Sequence, residues 1–66
     1  GGSMSAATFD QRVSAYGAAH RLEDAIAAAR DALEKAKCAA VAVVDLERAI
    51  AEIEAVRSAC LRVAAS

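Results

Sequence analysis

Tryptophan and proline are absent from this chain, phenylalanine and tyrosine occur once each, and the three glycines stand at positions 1, 2 and 17. So little aromatic and turn-forming material excludes a β-sandwich, whose short strands need frequent turn signals. Two cysteines, Cys38 and Cys60, are too few for a disulfide scaffold. Charge of one sign does not predominate: eight Lys or Arg face nine Asp or Glu, a formal net charge of −1. That balance excludes a disordered acidic or basic tail, and it gives no net pull toward nucleic acid or anionic lipid. With 66 residues the chain is too short for several domains. The apolar run from Cys38 to Val44 is far too short for a bilayer, and no stretch reads as a secretory leader. No membrane and a cytoplasmic location are therefore expected.

What is present is alanine, at 20 of the 66 positions. Alanine is the strongest helix former and a poor core filler. No segment alternates apolar and polar residues with period two, so the expected class is all-α. Gly1-Gly2-Ser3 ahead of Met4 reads as an expression-tag remnant, leaving residues 4–66 as a single small helical domain.

Helical phase, at 100° per residue, divides the apolar positions into three stripes. Phe9, Val13 and Tyr16, followed by His20, share one direction. Leu22, Ile26, Ala29, Leu33, Ala36, Ala40 and Val43 continue a seam of three- and four-residue steps from Ala19, turned by about 150° from the first stripe. A third stripe takes in Leu46, Ala49, Ile50, Ile53, Val56, Cys60 and Val63. The first change of direction falls near Gly17 and the second between Ala40 and Asp45. The reading is a helical hairpin, helices about 18–40 and 45–64, with a short N-terminal helix or helical extension over about 9–16. Thr8 and Gln11 fit a capping box at its start, and Asp45 fits an N-cap for the last helix.

Two rows flank the middle seam at seven-residue spacing: Ala18, Ala25, Ala32 and Ala39 on one side, Glu23, Arg30 and Lys37 on the other. The alanine side admits a close helix neighbour, and the charged side stays wet and can set register. The remaining charges are expected in pairs along single helices: Asp31 with Lys35, Glu34 with Lys37, Asp45 with Arg48, Arg48 with Glu52, Glu54 with Arg57.

A chain this small rarely draws more than about 3–5 kcal/mol from its own core. Stripes that turn twice leave apolar surface uncovered, so a homo-oligomeric helical bundle is expected. Its expected oligomer or partner interface is Leu22, Ile26, Ala29, Leu33, Ala36, Val43, Leu46, Ile50, Ile53, Val56 and Cys60. Arg12, Tyr16 and His20 share a helical face and, with Arg21, form a candidate surface for a partner or a small anionic ligand.

His20 has no recognisable nucleophile or orienting carboxylate, and no phosphate loop or metal-ligand spacing occurs. No catalytic, cofactor-binding or metal residue is assigned, and an enzyme is not expected. Cys38 and Cys60 read as small buried apolar side chains at opposite ends of the hairpin, too far apart for an intrachain disulfide. The functional expectation is a non-enzymatic protein–protein interaction module, such as a small bacterial or phage adaptor or inhibitor, whose partners are itself and another protein. An oligomeric binder of a nucleotide or other small anion at an intersubunit pocket is the first alternative. An RNA-binding hairpin dimer ranks last, because acidic residues interleave with Arg21, Arg30, Lys35, Lys37, Arg48, Arg57 and Arg62.

Overall fold

Thr8 sits at φ −67°, ψ 164°, just outside helical geometry, and its hydroxyl accepts the Gln11 backbone N–H at 3.1 Å. Gln11 Oε1 accepts the Thr8 N–H at 2.9 Å, completing the reciprocal cap that the sequence predicts. From this start a computed structural model, which describes residues 7–66, builds two helices: α1 (Phe9–Cys38) and α2 (Val44–Ala65). They form a hairpin, all-α throughout the described residues. The tag remnant expected at residues 1–3 lies outside the described residues. The N-terminal segment is an extension of the long helix: α1 runs through Gly17 without a break. That glycine is exposed, and a methyl group placed on it would meet nothing within 4 Å.

The turn between the helices closes without glycine. Val41 N–H donates to the Ala36 carbonyl and Ala40 N–H to the Lys37 carbonyl, each at 3.0 Å. This is the Schellman pattern that satisfies the last carbonyls of a helix. It requires a left-handed residue, and Ala40 fills that role with φ 59°. On the far side α2 begins slightly ahead of the expected boundary. Val43 is its N-cap, with no side-chain cap, and its carbonyl accepts the Glu47 N–H at 2.8 Å. Asp45 is therefore not the cap. It lies in the first turn with Glu47, where both carboxylates favour the positive end of the helix dipole. Val43 is half-buried, whereas Val41 and Val44 are exposed, so most of the valine run is not packed.

Packing follows the three-four seam of α1. Ala15, Ala19, Leu22, Ile26, Ala29, Leu33 and Ala36 are covered along it, all returning to one face at three- and four-residue steps, and Ala18 is half-buried at its edge. Facing it are the N-cap Val43 and, on α2, Leu46, Ile50, Ile53, Arg57, Cys60, Leu61 and Ala64, with Glu54 and Ala59 half-buried on its flanks. This differs from the expected third stripe. Ala49, Val56 and Val63 are exposed at its edge, and Arg57 and Leu61 take inward places. The reason is width: one neighbouring helix covers a narrow stripe, and Ala49, Val56 and Val63 recur every seven residues beside it.

Only Ala19, Ile26 and Ile50 are buried among the described residues. The molecule measures 54 × 21 × 11 Å along its principal axes, one layer of helices thick. Independent domains normally bury their apolar faces between two packed layers.

Candidate interaction surfaces

Ion pairs between the helices fix the register. Arg30 pairs with Glu54, Lys37 Nζ lies 3.8 Å from Glu47, and Arg57 Nε lies 3.3 Å from Glu23 Oε1. Glu23, Arg30 and Lys37 are the charged flank noted in the sequence, and their partners stand on the matching edge of α2. The flank thus bridges the helices. Two of the single-helix pairs expected from spacing occur, Lys35–Asp31 at 3.1 Å and Arg48–Asp45 at 3.6 Å. Glu54, Arg57 and Lys37 instead reach across to the other helix. The signal in the sequence is that Glu47 and Glu54, themselves seven apart, are opposite in sign to Lys37 and Arg30.

This register divides the layer into two unlike faces. The ladder occupies one. The opposite face carries Ala18, Ala25 and Ala32 of α1 beside Ala49, Val56 and Val63 of α2, by the same seven-residue phase that places the ladder on the other side. Val56 is 53% exposed and Val63 40%. Ala25, Ala32 and Ala49 are exposed and Ala18 half-buried.

A second apolar patch lies on the ladder side at the open end. α1 has 30 residues and α2 has 22, so the first two turns of α1 project past the end of α2. Phe9, Val13 and Tyr16 lie in this overhang and are 71%, 54% and 57% exposed. The change of stripe direction near Gly17 coincides with the level at which α2 ends.

Within that patch Tyr16 and His20 meet edge to face, ring centroids 4.8 Å apart and planes at 68°. His20 Nδ1 lies 3.9 Å from Glu23 Oε2, beyond hydrogen-bond reach, and Glu23 is held in turn by Arg57. Phe9, Arg12, Val13, Tyr16 and Ala64 line an open hollow of about 370 Å³. Arg12 Nη1 donates to the Ser66 carbonyl at 3.5 Å, tethering the overhang to the end of α2. Arg12, Tyr16 and His20 are thus brought together, while Arg21 lies about 140° around the helix from Tyr16 and outside the hollow. A wider depression of about 1090 Å³ opens at the same end, bordered by Thr8, Gln11, Ser14, Arg62 and Val63 among others.

Of the interface residues expected from sequence, all but Val56 are partly or fully covered along the seam between α1 and α2. Cys60 is half-buried there, whereas Cys38 is exposed at the end of α1, contrary to the expectation of burial; both thiols are free. Among the described residues no group of three or more His, Cys, Asp or Glu side chains is placed to hold a metal ion. No helix among them is long and apolar enough to cross a membrane. Arg30, Lys35, Lys37, Arg48 and Arg57 all lie in ion pairs, which weakens the basis for an RNA-binding face. The chain matches no protein-family model, no curated protein and no solved structure.

Proposed function

We propose that this chain is a non-enzymatic helical interaction module that works as a homo-oligomer and offers its remaining surface to another protein. The observation that carries the reading is the ratio of covered to uncovered apolar side chains. Among the described residues three are buried, while Phe9, Val13, Tyr16, Val41, Val44, Val56 and Val63 are all exposed in a single layer of helices. Exposed apolar patches of this kind on small helical proteins mark association sites. Light scattering across a dilution series tests the oligomer: a mass of two or more chains is expected. A compact monomer that melts cooperatively at a temperature independent of concentration overturns the proposal.

The hollow beneath Tyr16 supports a second reading, a binder of a small anion such as a nucleotide. Arg12 supplies charge and Tyr16 a ring for stacking, with His20 packed edge-on against that ring outside the hollow. A thermal-shift screen against nucleotides separates the two. Stabilisation that Tyr16→Ala abolishes favours the ligand reading, and no shift with any nucleotide removes it.

A further inference from the structure

We infer that a second copy of this chain docks on the alanine–valine face, with the two-fold axis parallel to the helices, giving an all-antiparallel four-helix bundle. The inference rests on the homo-oligomeric reading above and adds the surface, the occupant and the symmetry.

Size complementarity points to that arrangement. The ladder pairs residue 30 with 54 and 37 with 47. The same register sets Ala18 within one helical turn of Val63, Ala25 of Val56 and Ala32 of Ala49. A two-fold axis along the helices keeps every residue at its height and lays α1 of one copy over α2 of the other. Each exposed valine then meets an alanine, large against small, as close helix packing requires. An axis perpendicular to the helices lays α2 on α2 instead, and Val56 meets Val56 over the middle of the layer.

The face is large enough. A layer 21 Å wide over the roughly 33 Å of a 22-residue helix offers about 700 Å² per chain, close to the roughly 800 Å² per partner of a stable interface.

Single-cysteine cross-linking in a Cys38→Ala/Cys60→Ala background tests the arrangement. Ala25→Cys and Val56→Cys chains are prepared separately, then oxidised alone and after mixing. The expected result is an interchain disulfide only in the mixture. A dimer in which Val56→Cys links to itself, or in which neither protein nor their mixture cross-links, overturns this face or this symmetry while leaving the oligomer intact. A background protein that is folded and monomeric overturns the oligomeric reading itself and this inference with it. Should the cysteine-free background fail to fold, Val56→Glu and Tyr16→Glu in the parent chain decide. Loss of the dimer by light scattering with Val56→Glu alone supports the proposal, and any other pattern overturns it.

Discussion

Arg57 of α2 reaches Glu23 of α1, Nε to Oε1 at 3.3 Å, across 34 residues of sequence. It does so from an inward position of the seam, with only a third of its side chain exposed. Its alkyl stem can cover apolar surface while its guanidinium reaches the ladder edge. The ladder therefore begins inside the hairpin at this pair and runs outward through Arg30–Glu54 to Lys37–Glu47 near the turn.

Exposure limits what that ladder contributes. Arg30 and Glu54 are 61% and 39% exposed, and such pairs contribute roughly 0.2–1 kcal/mol each. A double-mutant cycle with Arg30→Ala and Glu54→Ala is expected to give a coupling in that range, shrinking in 1 M salt. Reversing the pair as Arg30→Glu/Glu54→Arg should recover most of the loss. Its register role predicts that Arg30→Glu alone is worse than Arg30→Ala, because it sets like charges together. Equal melting temperatures for those two variants would refute the assignment.

The seam carries more weight. Ile26 and Ile50 are 8% and 6% exposed, the two largest of the three side chains buried among the described residues. Ile26→Ala or Ile50→Ala is expected to cost about 2–5 kcal/mol, comparable with everything a domain this small possesses. Circular dichroism at 25 °C should show largely unfolded chains for either variant. Val41→Ala, at an exposed turn position, should leave the spectrum unchanged.

Glycine and alanine stand in exchanged places. Gly17 lies in mid-helix with open space where a methyl group would go, and Ala40 holds the left-handed position that glycine ordinarily fills. Gly17→Ala is expected to stabilise the fold by about 0.5–1 kcal/mol, and Ala40→Gly by a similar amount. For a domain of this length each should raise the melting temperature by several degrees at fixed protein concentration. A drop in melting temperature for Ala40→Gly would mean that the turn is not the Schellman turn described above.

Thr8→Ala removes the hydroxyl that caps α1 and is expected to cost about 1 kcal/mol of helix stability. Because the first two turns of α1 project past α2, the loss should appear as local fraying. Hydrogen exchange should accelerate at residues 9–16 and remain unchanged around Ile26 and Ile50. Uniform acceleration through both helices would show instead that the overhang is coupled to the seam.

Much of this molecule is legible in the chain itself. The Thr8–Gln11 cap, the α1 seam from Ala19 to Ala36 and the hairpin follow from spacing and local chemistry alone. The continuity of α1 through Gly17 was not decided by sequence, since a single glycine in mid-helix costs little and either outcome satisfies the pattern. Asp45 misled as a cap because Asp suits both the cap and the first turn, and only the Val43–Glu47 hydrogen bond distinguishes them. The α2 face was misjudged by one flank: Val56 and Val63 look like core when apolar character alone is weighed. The ladder is not legible from i,i+3 and i,i+4 spacing within each helix, because antiparallel packing gives Glu54 and Arg57 partners on the other.

The strained alanine at the bend has a further consequence. Straightening it would release the left-handed cost at Ala40 and convert the two helices into one rod through residues that include strong helix formers. Two such rods lying antiparallel could rebuild the seam and the ladder between chains instead of within one, exchanging arms at no loss of those contacts. The same methyl group that tightens the energy of the bend therefore narrows the gap between the folded-back form and its interlocked counterpart.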